Sequence, residues 1–561
     1  MSVFEGVDSE DEILDYLKQH GGYVEPVMVP FLAQPELLNQ QIVKKDIEFF
    51  YKVPFLPQLQ ELLRCSDVLH CVDNSKEPEE WTYESILDGL IYKCHPVVLK
   101  FGNTTLSIYI YHDGVEPSDL GSARVGKHNL TFFYWSLGNI YPELRSSDKV
   151  VQLYVICKTP DLKKYGYKKI MEDFIEGINK LSSDEGVTFN IDGQNRIFHG
   201  FLHCCLGDYP AQGAIGGFKE SVSAEKPCRE CMASNEEGYI KATSISNIQL
   251  RNKNLHESHL QELDKYNALS SKEKLKRRDP SVEYGVNNRS VLLDIKYFDV
   301  TKQLPQDLMH DVNEGILEYT CRLVLRHVIL DKKALPISLV NERIASLSKA
   351  FESDRPGVIL EDHLGPTKHL RQSSAQMRTL SLLLPFVLQK ETADGSMVFS
   401  GDQEYLDCLI CVLQFLQVSS AFKFHITDVE VLRKKIEELH AMILALDDEI
   451  NMGKLHFCTT YAMGLLCLEC FAKLHVFDTL AVRHQISKCR QMMKKNYLYD
   501  GHECTPKQDV SKAVNRNVNL IKDSFPDWQT IVLVSKVDDQ IMEKIVFTSL
   551  IQHRYTDKTQ Q

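Results

Sequence analysis

The sequence predicts a mixed α/β protein in which a sheet-forming region is followed by a mostly α-helical C-terminal half. Short apolar runs rich in β-branched and aromatic residues recur between residues 95 and 205, which is typical of strands. From residue 307 onward, apolar residues recur at steps of three and four, as in amphipathic helices. A polar stretch between the two patterns is too long for an ordinary connection and therefore indicates an insertion.

These changes of pattern give the predicted domains. Residues 1–94 form a helical lead-in, and residues 95–330 form a core that carries the insertion at about 209–306. Residues 331–500 follow as a helical region, and residues 501–561 as a variable tail. A chain of 561 residues has ample length for a large core and for one to four domains.

Local patterns assign the elements in order. Amphipathic spacing in the lead-in predicts helices over residues 11–18, 36–51 and 56–63. Apolar runs in the core predict strands over residues 97–101, 105–111, 129–135, 150–157 and 195–205, with a helix over 164–181. Helical periodicity predicts further helices over residues 316–328, 339–351, 375–388, 403–422 and 429–443. From residue 105 the predicted order is therefore β-β-β-α-β.

Three acidic residues stand at informative places in this order. Asp113 ends one apolar strand pattern, Asp208 follows another, and Glu314 lies where the C-terminal helical pattern begins. Asp113 precedes Gly114, and Asp-Gly is by itself a common hairpin turn. Three carboxylates at the ends of two strands and on a later helix can nevertheless hold two divalent metal ions for phosphoryl transfer. The strand order that separates the first two acids resembles that of an RNase H-like half-sheet.

Composition narrows the class of partner and the compartment. The formal net charge of −13 argues against binding to nucleic acid through overall charge, since Lys and Arg must neutralise phosphates. The densest basic run, over residues 272–278, is more often a solvated helix face than a DNA contact. The chain shows no apolar run near the roughly 18 residues of a membrane span and no apolar signal segment. We therefore expect an intracellular protein, nuclear or cytoplasmic, that is not secreted and whose 16 cysteines are mostly reduced.

Several short motifs together resemble the En/Spm (CACTA) superfamily of DNA transposases, in its animal branch. The resemblance covers about residues 90–390 and extends in patches to about residue 490. The motifs that carry it are Asp113-Gly114, Asp119-Leu120-Gly121-Ser122, Phe133-Tyr134-Trp135-Ser136-Leu137-Gly138-Asn139, Gly207-Asp208, Gly216-Gly217-Phe218, Cys228-Arg229-Glu230-Cys231, the run 307–315 and Lys454-Leu455-His456-Phe457.

The resemblance implies a fold and a set of catalytic residues. The implied fold is an RNase H-like catalytic domain interrupted by an insertion, and the implied activity is metal-dependent cleavage and transfer of DNA strands. Asp113, Asp208 and Glu314 correspond to the DDE triad that would hold Mg²⁺. Asp119 and Asp311 are rival acids, because each lies close in sequence to a triad position.

A second candidate site lies in the insertion. Cys228 and Cys231 form a CxxC motif, and His256 and His259 follow as HxxH, which predicts a structural Zn²⁺ site with these four ligands. An HxxH this far downstream is looser than the usual finger spacing, so an unmetallated loop is the alternative. Related transposases carry histidines nearer the catalytic Glu, and this resemblance makes His310 another candidate ligand.

Two functional interpretations stay open. One is a transposon-derived enzyme, and the other is a domesticated scaffold that binds DNA or protein without catalysis; a simple nuclease is a weaker third. Residues 1–94 contain no CxxC finger, and the family pattern after residue 457 is compressed, which favours an inactive copy. We expect the isolated chain to bind DNA weakly and without sequence preference, and a second copy of the chain is a further candidate partner.

Overall fold

The computed structural model describes residues 22–32, 37–38, 41–42, 48–75, 82–115, 129–142, 144–145, 150–221, 224–234, 248–349, 354–421, 423–447, 450 and 455–456. These residues belong to two compact units. The first unit takes in the described parts of Met1–Leu308, Ser419–Lys434 and Asn451–Leu498. The second takes in the described parts of Met309–Val418, Lys435–Ile450 and Tyr499–Gln561.

A six-stranded sheet organises the first unit. In chain order the strands of this unit are β1 Val27–Pro30, β2 Phe49–Lys52, β3 Leu106–Val115, β4 Leu130–Leu137, β5 Gln152–Lys158, β6 Val187–Ile191, β7 Gln194–Phe198 and β8 Gly200–Leu206. The sheet has the order β1-β2-β5-β4-β3-β8, and β6 and β7 form a separate hairpin. Strand β8 is parallel to β3, and every other neighbouring pair in the sheet is antiparallel. The crossover from β5 to β8 therefore places the last strand beside the first strand of the β3-β4-β5 meander.

Helices surround this sheet. Those of the first unit are α1 Phe55–Arg64, α2 Ser66–Asp73, α3 Leu90–Lys93, α4 Pro96–Phe101, α5 Thr159–Tyr165, α6 Lys168–Leu181, α7 Tyr209–Gly216, α8 Lys253–Asn267, α9 Ser271–Lys274 and α10 Pro280–Tyr284. Short 3₁₀ turns cover Ile86–Asp88 and Val291–Asp294, and two-residue strands pair Leu37–Leu38 with Gln41–Ile42 and Thr82–Tyr83 with Phe424–His425.

The core lies where α1 and α6 pack on the sheet. Phe55 of α1 contacts Trp135 of β4 edge-on, with ring centroids 5.1 Å apart, and Phe174 of α6 at 4.6 Å. All three side chains are fully buried, and the Trp135 indole donates a 2.8 Å hydrogen bond to Gln58 Oε1. Burial of three aromatic side chains contributes several kcal/mol in total, at about 2 kcal/mol each. This core fixes the half-sheet against its crossover helix.

The second unit is predominantly helical in its described part. Its elements are a π-helical segment Met309–Leu317, helix Glu318–Arg326, a second π-helical segment His327–Asp331, helices Ile337–Leu347 and Ser374–Val387, a 3₁₀ turn Glu361–Leu364, the hairpin Gln389–Glu391 with Met397–Phe399, helix Gln403–Ser419 and the distal part of Ile426–Leu446. Ser373 begins one helix by accepting a hydrogen bond from Gln376 N, while the Gln376 side chain caps Ser373 N. A mixed α/β chain whose described C-terminal part is mostly helical is therefore confirmed.

The prediction of a strand over residues 97–101 is wrong, because these residues belong to helix α4. The His95 side chain caps this helix by accepting a hydrogen bond from Val97 N, and Pro96 occupies its first position. Gly102, at φ +87°, ends it. These end signals outweigh the strand preference of adjacent valines.

Other element boundaries also differ from the sequence prediction. The predicted helix over residues 36–51 ends instead in strand β2, where buried Phe50 alternates with exposed Phe49 and Tyr51. The predicted strand over 195–205 is divided between β7 and β8. The predictions for residues 11–18 and 501–561 lie outside the described residues. Among the described helices, none has both the length and the apolar character that a membrane span requires.

Candidate active site and metal centre

Asp113 and Asp208 lie at one edge of the sheet, Asp113 on β3 and Asp208 just after the neighbouring strand β8. Tyr111 of β3 pairs with Leu206 of β8 in parallel register, and each acid lies two residues beyond its paired residue. Gly207 keeps the two chain segments close, since a Cβ at this position would lie 3.2 Å from His112 O. Both acids are half-buried and therefore accessible to an ion or to solvent.

Each acid has a defined local setting. Asp113 accepts a hydrogen bond from the Tyr111 hydroxyl, with 3.3 Å between the oxygen atoms. Asp208 caps helix α7 and accepts a 2.7 Å hydrogen bond from Ala211 N. One carboxylate oxygen of Asp208 therefore orders the start of the helix, and its position depends on the end of β8.

His112, which precedes Asp113 on β3, is buried. Its ring stacks on Phe133 at 5.1 Å, and its Nε2 donates a 3.0 Å hydrogen bond to Ala211 O. Burial lowers the pKa of His112 to about 4, although the negative charge of Asp208 opposes this shift. A neutral imidazole therefore ties strand β3 to helix α7 and helps to hold Asp208 in place.

The third predicted acid belongs to the second unit. Glu314 is half-buried on the π-helical segment Met309–Leu317, and Asp311 on the same segment is buried. π-Helical turns are uncommon and often mark functional positions. The rival acid Asp119 lies outside the described residues.

Within the first unit, Cys228, Cys231 and His456 form a group that could hold a metal ion. The three ligand atoms all lie within 4.8 Å of one another, and all three side chains are fully buried. The distance between Cys231 Sγ and His456 Nε2 is 3.3 Å. Tetrahedral zinc would place a sulfur and a nitrogen ligand about 3.6 Å apart, so the spacing is close to that of a zinc site.

Backbone amides and two arginines hold the CxxC loop in place. The Glu230 N–H donates to Cys228 Sγ at 3.4 Å, and the Ala233 amide likewise hydrogen-bonds Cys231. Buried Arg251 donates from Nε to the carbonyl oxygens of both cysteines, at 2.8 and 3.1 Å, and from Nη2 to two further carbonyl oxygens. Arg229, between the cysteines, donates to the carbonyl oxygens of residues 304 and 305. The sulfurs therefore sit on a rigid loop.

The two thiols differ in acidity. Burial would raise the pKa of Cys228, but hydrogen bonds from Cys231 and His456 and the charge of His456 lower this pKa well below its usual range. The hydrogen bond to Cys228 and burial both raise the pKa of Cys231 well above its usual range. Thiolate is the form that binds a metal ion, and the lowered pKa of Cys228 favours it.

His256 and His259 lie outside this ligand group. Both are buried on helix α8, where His256 contacts the Phe218 ring at 5.0 Å and His259 stacks on Tyr284 at 4.1 Å. Burial, together with the charge of Arg251, lowers the pKa of each to about 4. His310, the other sequence candidate, belongs to the second unit.

His456 is the site residue that the predicted ligand set does not contain. It lies 225 residues beyond Cys231, and no local spacing rule joins residues so far apart. The only signal in the sequence is its place in Lys454-Leu455-His456-Phe457, one of the transposase-like motifs.

Comparison with known proteins does not identify a family. No protein-family model matches this sequence, and no curated protein matches it.

Proposed function

We propose that this chain is a transposon-derived protein with an RNase H-like core, whose chemistry is metal-dependent cleavage of DNA strands. The observation that carries the proposal is the placement of Asp113, on β3, and Asp208, just after β8, each two residues beyond the paired residues Tyr111 and Leu206 of these parallel strands. Carboxylates are the ligands that Mg²⁺ prefers, and two of them at one sheet edge suit a divalent ion.

The order of the strands supports the RNase H-like assignment. Strands β3, β4 and β5 form an antiparallel meander, helices α5 and α6 follow, and β8 returns parallel beside β3. This is the order that the sequence pattern predicts for an RNase H-like half-sheet.

In this proposal the carboxylates of Asp113 and Asp208 hold the catalytic ions. Two Mg²⁺ ions in such a site would supply a nucleophile by acidifying water and would stabilise the leaving oxygen of the phosphodiester. The protein orients the two carboxylates by hydrogen bonds. The cap to Ala211 N orients Asp208, and the bond from Tyr111 orients Asp113. Half-burial leaves both carboxylates open to a phosphate.

We further propose that Cys228, Cys231 and His456 bind Zn²⁺ as a structural ion. Soft sulfur and imidazole donors select zinc over magnesium, and the complete burial of the group suits a structural role. Bound zinc would hold the CxxC loop and residue 456 together. The fourth tetrahedral position has no Cys, His, Asp or Glu ligand among the described residues.

Nicking of supercoiled plasmid tests the catalytic proposal. Wild-type protein should nick DNA in Mg²⁺ and not in EDTA, and Asp113→Asn and Asp208→Asn should each lower the rate at least tenfold. Asp264→Asn, which removes an exposed carboxylate on α8, is the matched control and should behave as wild type. Equal nicking by all four proteins, or none by any, would favour the non-catalytic scaffold.

A further inference from the structure

A basic turn, defined as residues 272–278, projects from the insertion and has a fixed backbone. The Ser270 side chain and Glu273 form a reciprocal capping box at its start, and Asp279 caps the next helix, α10. Successive i to i+3 backbone bonds continue from Lys276 to Glu273 and from Arg277 to Lys274. The turn is therefore rigid enough to present side chains in a defined arrangement.

Two cations of the basic turn anchor it to the insertion. The Lys274 ammonium lies over the Tyr266 ring, 5.4 Å from its centroid. Arg278 forms an ion pair with Glu225, whose side chain is largely buried. These contacts fix both ends of the segment that carries Leu275.

The basic turn also exposes one large apolar side chain beside three cations. Leu275 is 88% exposed, more than any other large hydrophobic side chain in the described part of the chain. Three exposed cations flank Leu275 in the sequence: Lys272, Lys276 and Arg277. In the described part of the chain neither Lys272 nor Lys276 has an ion-pair partner, whereas the charge of Arg277 interacts with that of Glu273. An exposed leucine contributes no free energy of burial to the folded monomer, so its position beside exposed cations has no evident role in stability.

We propose that the basic turn is a contact site for duplex DNA, in which Leu275 inserts at a base step and the flanking cations bind phosphates. An apolar side chain can wedge between base pairs and unstack them, while Lys and Arg gain affinity by releasing counterions from the backbone. The cations of this turn select a polyanion by charge complementarity, whereas the net charge of −13 opposes attraction of DNA to the chain as a whole. The proposal rests on the proposed function for its choice of DNA, although it requires no catalysis.

Binding of the full chain to a 25-base-pair duplex in EDTA tests the charge component. The slope of log affinity against log salt should become shallower by about 1.8 in Lys272→Ala/Lys276→Ala, since each lost phosphate contact removes about 0.9. The matched control is Lys368→Ala/Lys390→Ala, which removes two exposed lysines of the second unit and should leave the slope unchanged. Equal slopes for the two double variants would overturn the assigned contact.

Fluorescence of 2-aminopurine placed along the duplex tests the wedge. Wild-type protein should raise the fluorescence, and Leu275→Ala should lose that rise while keeping the wild-type salt slope. Leu275→Met should retain it, and Val358→Ala, which truncates an exposed apolar residue of the second unit, should have no effect. A rise that persists in Leu275→Ala would overturn the insertion.

The same variants separate DNA from other anionic surfaces. Vesicles containing 30% phosphatidylserine should bind more weakly than the duplex at equal salt, and binding to vesicles alone would overturn the choice of DNA. Every measurement is made without divalent ions. A chain that binds as proposed but never nicks DNA would refute the catalytic proposal alone, and a chain that nicks without unstacking would refute the wedge alone.

Discussion

Asp113 and Asp208 lie two residues beyond Tyr111 and Leu206, which are partners in the parallel pairing of β3 and β8. The register thereby brings to one edge two acids that are 95 positions apart in the sequence. A shift of one residue in this pairing would place the acids at different levels.

Asp208 has two separable roles, and substitutions can distinguish them. Asp208→Ala removes the cap on Ala211 N and should lower the free energy of unfolding by about 1 kcal/mol. Asp208→Asn keeps a capping oxygen and should change stability by only a few tenths of a kcal/mol. Urea denaturation measures both changes. Loss of nicking in the stable Asp208→Asn protein would then reflect metal binding, whereas equal destabilisation by both substitutions would contradict the capping role.

The cysteine site predicts which histidine matters for zinc. Purified wild-type protein should contain about one zinc per chain. His456→Ala and Cys228→Ser should each lose most of it, because each removes one of three buried ligands. His259→Ala is the matched control and should keep its zinc, since His259 stacks on Tyr284 outside the ligand group. Elemental analysis retaining zinc in His456→Ala but not in His259→Ala would reverse the assignment.

Arg251 should contribute strongly to the stability of the insertion. Its Nε and Nη2 atoms reach four carbonyl oxygens, and a lysine ammonium cannot span this set. Arg251→Lys should therefore destabilise the fold by about 3 kcal/mol, measured by chemical denaturation. The control Arg289→Lys alters an exposed ion pair with Glu257 and should cost less than about 1 kcal/mol. Similar losses of stability in both variants would show that the four hydrogen bonds of Arg251 do not contribute more than an exposed ion pair.

Two buried histidines, His95 before helix α4 and His203 on strand β8, predict a dependence of stability on pH. Burial lowers the pKa of His95 to about 4 and that of His203 to about 3, whereas both imidazoles would titrate near 6.5 in the unfolded chain. Between about pH 6.5 and pH 4 the unfolded chain binds more protons, so stability should fall as pH falls through this window. Each imidazole should contribute on the order of 1 kcal/mol per pH unit.

Fluorescence of buried Trp135 can follow this dependence in a Trp81→Phe/Trp528→Phe background. His203→Gln should reduce the slope of stability against pH by the contribution of one imidazole, on the order of 1 kcal/mol per pH unit. The exposed His425 provides the control, and His425→Gln should leave the slope unchanged. A slope that is insensitive to His203→Gln would show that burial of this imidazole does not set the dependence.

Particular elements show how far the sequence determines the fold and the site. Runs of β-branched and aromatic residues predict strands β3, β4 and β5. The ends of these strands in the structure differ from the predicted ends by only a few residues. Helix α6 is shorter than its predicted range because Gly166, at φ +72°, separates it from α5. Local pattern is therefore sufficient where burial and periodicity agree.

Long-range pairing is what local pattern cannot supply. The contact of His456 with Cys231 and the parallel register of β8 with β3 both depend on chain folding over about a hundred residues or more. The HxxH motif of α8 has the spacing of metal ligands, yet its two rings are used for packing against Phe218 and Tyr284. Residue type and spacing alone do not distinguish a buried packing histidine from a ligand.

Binding of Mn²⁺, measured by the loss of its free electron paramagnetic resonance signal, tests most directly whether the sheet edge holds divalent ions. Wild-type protein and Asp264→Asn should bind Mn²⁺ alike, and Asp113→Asn/Asp208→Asn should bind at least tenfold more weakly. Chemical denaturation of each protein confirms that the fold is retained. Mn²⁺ affinity that is unchanged in Asp113→Asn/Asp208→Asn would contradict the assignment of this edge as a catalytic metal site.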